Sequence, residues 1–205
     1  MLVMGGEVLP FVKNTPVLAG VNAPDPFRHL PQFLKVVNEM GFSGVQNFPT
    51  VGLFDGIMRA NMEATGLSYD KEVEMIGLAH EFDLLTTPYC FTEDEARAMV
   101  KAGADMIVAH VGLTTGGTIG ATAAMTLEEA AETTNRIVAA AREKRPEVLV
   151  ICHGGPIECP ENEERAMKMM PGVNGFYGAT SMERLPVEWA IKEQVEKFKA
   201  MELSS

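Results

Sequence analysis

An α/β barrel is the fold class this sequence predicts, and three observations predict it. Short apolar runs alternate six times with segments of helical spacing, a repeated βα grammar. The runs are continuously apolar, not alternating, which is the mark of parallel strands covered by helices on both faces. Each run ends in a chemically loaded turn: Asn22, Asn47, Tyr89 with Cys90, His110, His153 and Ser181. A doubly wound sheet also takes six strands, but it concentrates its site at one switch point, whereas a barrel gathers every βα loop at one mouth. The spread of polar strand ends decides for a TIM (β/α)8 barrel with six βα units present, the whole chain 1–205 forming one domain.

The elements follow in order. Val17 to Val21 reads as a buried strand; Asp25 then caps a helix with Pro26 at its first position, Phe27, Leu30, Phe33, Leu34 and Val37 along one face, and Gly41 at its end. A second strand, Gly44 to Phe48, leads into the polar, Gly-bearing stretch PTVGLFDGIMRANMEATGLSY and a helix from Asp70 to Glu81 with Val73, Ile76 and Ala79 inward. An insertion of that length at a strand end is where function usually sits. Leu84 to Tyr89 is the third strand, and Thr92 with Glu95 forms a capping box for a helix carrying Ala96, Met99 and Val100. Met106 to Ala109 is the fourth, running into His110. A second capping box, Thr126 with Glu129, opens a helix to Lys144 with Ala130, Thr133, Ile137, Val138 and Ala141 facing in. Val148 to Cys152 is a strand ending in HGGP, a weaker helix spans Glu161 to Met169, and Gly175 to Ala179 is the last strand. Pro186 opens a final helix with Val187, Ile191, Val195 and Phe198 on one side; these, with Trp189, read as core.

Composition narrows the function classes. The net charge of −11 and pI near 4.8 argue against a nucleic-acid or anionic-membrane partner, since a phosphate backbone needs a broad basic face. Any anion site is therefore local. The odd cysteine count (Cys90, Cys152, Cys159), the absence of a charged-then-apolar start in MLVMGGEVLP, and the lack of any apolar run near the ~20 residues of a membrane span point to a cytoplasmic protein. The fourteen methionines read as core filler.

The segment HVGLTTGGTIGA, residues 110 to 121, is the first candidate site. Gly112, Gly116, Gly117 and Gly120 free the backbone to turn N–H groups toward a ligand, while Thr114, Thr115 and Thr118 add hydroxyls, a chemistry suited to a small anionic substrate. The run Gly116 to Gly120 could cradle a phosphate against the N-terminus of the following helix. His110 and His153 end strands read as next-but-one neighbours, each followed within two residues by Gly, so that both imidazoles could serve one ligand as general acid or base. Asn47, Gly154, Gly155, Thr180 and Ser181 occupy the same barrel end and are the further substrate-binding candidates. Asp55, Arg59 and Glu63 are spaced four apart and share one face if 55–64 is helical, which would let Arg59 clamp a carboxylate and Glu63 act as base, or simply make an ion-pair ladder. Mg²⁺ is a possible cofactor, but no acid sits plainly at a strand end to hold it. Cys152 beside His153 is a poor nucleophile candidate, because consecutive strand residues face opposite ways.

The residues also resemble the phosphoenolpyruvate hydrolase-like TIM-barrel domains. The likeness runs through TPVLAGV (15 to 21), NFPTVGLFDG (47 to 56), EVEMIGLAH (72 to 80), HVGLTTGGTIGA (110 to 121), CHGGPI (152 to 157) and GFYGATSMERLP (175 to 186), and so covers nearly the whole chain. It implies a barrel akin to the phosphoenolpyruvate/pyruvate superfamily, with lyase- or hydrolase-type chemistry on a small phosphorylated or α-keto acid. It also implies an N-terminal truncation, since members of that family usually begin with two further strands. Ala64 and Ser68 depart from the family's usual acid and glycine. A six-strand remainder would expose two parallel edges, which predicts a homo-oligomer. A non-catalytic ligand-sensing or protein-binding scaffold is the competing expectation.

Overall fold

A computed structural model describes residues 1–202. The chain opens with α1 (Leu2–Val8), β1 (Leu18–Gly20), α2 (Leu30–Glu39) and β2 (Gly44–Gln46). A 3-10 turn (Val51–Leu53), α3 (Gly56–Ala64) and α4 (Tyr69–Glu81) fill the long polar stretch. Then come β3 (Leu85–Thr86), β4 (Tyr89–Cys90), α5 (Glu93–Lys101), β5 (Met106–His110), α6 (Leu127–Arg142) and β6 (Leu149–His153). The last elements are α7 (Pro160–Met169), β7 (Gly175–Phe176), α8 (Thr180–Glu183) and α9 (Leu185–Lys199).

All the strand pairings are parallel, in the orders β1-β2-β3 and β4-β5-β6-β7. β3 and β4 are one strand path interrupted at Thr87 and Pro88. Thr87 N–H donates to Val45 O at 3.2 Å on one side, and Pro88 O accepts from Val108 N–H at 2.9 Å on the other, so the break hands the ladder from one sheet to the next. Proline has no N–H to give, and the path tolerates it there because only its carbonyl is used. The six-strand, all-parallel α/β architecture is thus the one the patterning predicts. Ile107, Ala109, Val150, Val45 and Ala19 are wholly buried along the strands, and Leu34, Val37, Met75, Ile76, Met99 and Ile137 meet them from the helices.

Both capping boxes form, Thr92 with Glu95 and Thr126 with Glu129. Three expectations need correction. α2 begins at Leu30, not after Asp25: the Asp25 carboxylate accepts from Phe27 N–H at 2.9 Å in a local turn, Phe27 is 95% exposed, and Pro31, which must lie in a first turn, sets the start. On α6 the buried threonine is Thr134, with Thr133 at the surface edge. On α9 the stripe Val187, Ile191, Val195 and Phe198 is half exposed or more, as is Trp189, because α9 packs extensively only on α8 and leaves Leu185 as its single buried residue. Periodicity identified an apolar face correctly but assigned it a neighbour that is not there.

Candidate functional site

His110 and His153 are direct partners. β5 and β6 pair in register, His110 opposite His153, so the two strands are adjacent and not next-but-one. Equivalent positions on neighbouring parallel strands project to the same face, and the two imidazole rings meet edge to face with centroids 4.7 Å apart. Tyr89, the first residue of β4, lies 4.9 Å from one ring and 5.0 Å from the other, and Phe91 stacks on His110 at 4.6 Å. Cys152, one residue before His153, faces away and is held against Gly175 O, with burial pushing its thiol up to about 12.

Each imidazole has one nitrogen committed, and the commitments are opposite. Gly112 N–H donates to His110 Nδ1 at 3.1 Å, which makes that nitrogen the acceptor and puts the proton on Nε2. His153 Nδ1 meets the Tyr177 carbonyl, which can only accept, so there Nδ1 carries the proton and Nε2 keeps its lone pair. Burial, helped by the neighbouring His153, lowers the His110 pKa to about 3; burial lowers that of His153 too, against the pull of the Tyr177 carbonyl. Both rings are therefore neutral at pH 7. Together they offer one N–H donor and one basic nitrogen.

The pair opens into a cavity of about 390 Å³ at the C-terminal ends of the strands. Gln46, Tyr89 and Tyr177 line it from the strand ends, Thr114 from the Gly/Thr loop, Thr180 and Glu183 from α8, and Phe48, Leu53 and Leu113 supply apolar wall. Tyr177 Oη and Gln46 Oε1 approach at 3.5 Å, spanning the mouth from β7 to β2. Among the described residues no Lys or Arg lines this cavity.

The other predicted residues fall around that centre. Asn47 is wholly buried behind the wall: its Oδ1 accepts from Tyr89 N–H at 2.7 Å, and its Nδ2 donates to Tyr89 O at 3.2 Å and to Glu72 at 2.5 Å, so its polar atoms brace β4 and do not line the cavity. Gly154 and Gly155 lie in left-handed conformations beside the loop; Gly155 N–H donates to Gly112 O at 2.8 Å and Gly155 O accepts from Thr115 N–H at 3.1 Å. A Cβ on Gly154 would lie 2.2 Å from Gly112 O, so this crossing of two loops requires glycine.

The run Gly116 to Gly120 does not abut the α6 N-terminus. Six residues separate Gly120 from α6, where Thr126 Oγ1 accepts from Glu129 N–H and Glu129 accepts from Thr126 N–H. The loop is tied instead to carboxylates of the chain itself: Thr115 Oγ1 donates to Glu158 at 2.5 Å and Thr118 N–H to Glu188 at 3.0 Å, while Arg184 reaches Gly116 O at 3.2 Å. Gly117 sits against Glu188 and Arg184, and Ser181 lies outside the cavity lining. Arg59 pairs with Glu63 at 2.6 Å and Glu95 at 3.3 Å, so these residues form the ion-pair ladder and lie away from the histidines; Glu63 also accepts from Tyr69 N–H.

Sequence reasoning missed Gln46, Tyr177 and Glu183 in the lining, and Glu72 behind it. Glu72 is wholly buried on α4 and accepts from Asn47, from Thr50 Oγ1 at 2.7 Å and from Val51 N–H at 2.8 Å. Its signal was present: Glu72 shares a helical face with Ile76 and Ala79. Among the described residues no group of three or more His, Cys, Asp or Glu is placed to hold a metal ion, and Glu183 is the one carboxylate on the cavity wall. These residues do not by themselves make a Mg²⁺ site.

Comparison with known proteins places the chain among relatives. It is 56% identical over 203 residues to the ToMV susceptible protein tm-1(GCR26) of Solanum lycopersicum and, equally, to the ToMV resistance protein Tm-1(GCR237) of the same plant. These matches cover 99% of this chain and 27% of each relative, so the chain spans about a quarter of the length of these curated relatives. Among solved structures, a dihydrodipicolinate synthase superposes with a TM-score of 0.54 at 13% identity, over 93% of this chain and 63% of that one, a likeness of TIM-barrel fold alone. The family model for phosphoenolpyruvate hydrolase-like proteins matches residues 1–201, and the chain belongs to that family.

Proposed function

We propose that this chain is an acid/base enzyme acting on a small phosphorylated or α-keto acid at the barrel mouth, with lyase- or hydrolase-type chemistry. The observation that carries the reading is the complementary pair of neutral imidazoles: His153 Nε2 free to take a proton, His110 Nε2–H free to give a hydrogen bond or a proton, with 4.7 Å between ring centroids. A general base must be unprotonated at working pH and a donor to a developing oxyanion must hold its proton, and the two backbone partners set both conditions in advance. In the absence of a cation on the lining, the anionic oxygens of the substrate would be held by hydroxyl and N–H donors, Thr114, Thr180, Tyr89 and Tyr177 among them.

The test is turnover of phosphoenolpyruvate, pyruvate and oxaloacetate, each with and without Mg²⁺, by wild type and by His153→Ala. Loss of about 100-fold or more in the variant, with an unchanged cooperative melt, is expected. Equal turnover in the variant would remove His153 from the mechanism. A second reading, a ligand-sensing or protein-binding scaffold, draws support from the uncovered stripe on α9, and ligand binding without turnover would favour it. We also propose a homo-oligomer built on that stripe and a reducing, cytoplasm-like setting, given three free cysteines of which Cys90 and Cys152 are buried. No described helix is long and apolar enough to cross a membrane.

A further inference from the structure

We infer that Glu72 is the positioning residue of this mouth, a buried carboxylate that fixes the wall carrying Phe48 and Leu53 and, through Asn47, fixes Tyr89 against both histidines. As far as it concerns substrate, the inference rests on the function proposed for the histidine pair. The geometry is specific. Glu72 reaches no cavity atom, yet its two oxygens gather three donors from the loop after β2: Asn47 Nδ2, Thr50 Oγ1 and Val51 N–H, at 2.5 to 2.8 Å. Asn47 in turn holds both the N–H and the carbonyl of Tyr89, and Tyr69, on the same helix as Glu72, donates its hydroxyl to that carbonyl at 2.5 Å. The Tyr89 ring is the surface on which His110 and His153 both rest.

A hydrophobic side chain would suit this site better if its only task were to fill the core, because burying a carboxylate is expensive unless donors compensate. The charged groups around it do not neutralise it. Glu95 on α5 opposes the charge and is itself paired with Arg59 of α3, while Tyr69 and Cys90 on β4 are the remaining titratable neighbours. Burial raises the carboxyl to about 7 against the three hydrogen bonds, so the clamp loses its charge within the range of ordinary assays. Protonation removes one acceptor from an arrangement of three donors, and the loop and Tyr89 should loosen together.

The test is ¹H–¹⁵N NMR of wild type and Glu72→Gln, reading the ring-proton shifts of His110 and His153 and the amide exchange of Val51 and Tyr89 between pH 6 and 8. His110, its pKa near 3, does not titrate in that window, so a change in its ring shifts centred near pH 7 in wild type, absent from the variant, reports Tyr89 moving with Glu72. Exchange at both amides should rise about tenfold in Glu72→Gln, the equivalent of one lost net hydrogen bond. A variant that is merely less stable would leave the native ring shifts in place. Unchanged ring shifts, or faster exchange at Val51 with none at Tyr89, would overturn the inference. If Glu72→Gln gives no cooperative melt, Thr50→Val removes one donor and keeps the charge; it should displace the same shifts in the same sense, and its failure to do so would equally refute the assignment. A wild type whose melt is moved by none of phosphoenolpyruvate, pyruvate, oxaloacetate or phosphate would sink the functional reading while the histidine shifts still decide the role of Glu72.

Discussion

Replacing His110 with Phe should change how the stability of this protein depends on pH. His110 is 5% exposed, and its pKa falls from 6.5 to about 3 on folding. Between those values the unfolded chain binds a proton that the folded chain does not, so the stability contributed by neutral His110 is complete above 6.5 and is lost as pH falls toward 3. From pH 7.5 to 4.5 the loss is two pKa units below the unfolded value, about 2.7 kcal/mol. Glu72 acts with the opposite sign: its folded pKa is raised to about 7, so its contribution is complete below 4.5 and is lost as pH rises through 7, costing about 3 kcal/mol over the same interval. These two contributions oppose each other and nearly cancel, and His110→Phe, which keeps only that of Glu72, should gain stability relative to wild type as pH falls. The phenyl ring fits between Phe91 and Tyr89, and the acceptor lost to Gly112 N–H lowers stability equally at both pH values, so only the pH-dependent difference counts. Urea unfolding of both proteins at pH 7.5 and 4.5 measures it, as does a difference of about 5 to 11 °C in melting shift for a chain of this length. Parallel pH profiles for the two proteins would refute the buried, neutral assignment of His110.

Three further outcomes follow from the contacts described. Gly154→Ala meets Gly112 O at 2.2 Å from a left-handed backbone and should destabilise by about 2 kcal/mol or more while weakening the Gly112 bond to His110; a thermal melt within 1 °C of wild type would contradict it. Glu188→Gln removes the carboxylate that accepts from Thr118 N–H and pairs with Arg184 at 2.7 Å, and amide exchange at Thr118 should rise several-fold with a modest fall in melting temperature, the ion pair being partly buried; unaltered exchange would mean the loop is held elsewhere. Ile191→Asp places a charge on the α9 stripe and should shift light-scattering mass toward the monomer; the same mass for both proteins would dismiss the stripe as the oligomer contact.

What could be read from the sequence was what local chemistry specifies. Thr92 with Glu95 and Thr126 with Glu129 are short-range signals, and both boxes formed. Strand-end placement singled out His110 and His153 because a strand running into His-Gly or Val-Gly has few structural motives. Their adjacency, however, depends on which strands pair, and pairing is a long-range property that no run of residues reveals. Asn47 illustrates the same gap: an amide at a strand end suits ligand or backbone equally, and the choice is made by Tyr89 arriving 42 residues later with an N–H and a C=O to satisfy. Glu72 was overlooked because an acid on an amphipathic helix is usually solvated, although its phase with Ile76 and Ala79 marked it as inward. Arg59 and Glu63 formed the ladder their i, i+4 spacing favours.

The uncovered helix is also the one that tethers the rim. Arg184 at the start of α9 and Glu188 in its first turn hold Gly116 and Thr118, two to four residues beyond Thr114 on the cavity wall. A helix of fifteen residues with one buried side chain draws little order from packing, and helices that short are marginal in water by their own hydrogen bonds. Anything that covers Val187, Ile191, Val195 and Phe198 therefore steadies the two residues that hold the loop. Assembly on that face and the firmness of the cavity rim become two readings of one equilibrium, so that protein concentration itself is a variable to be controlled when the site is assayed.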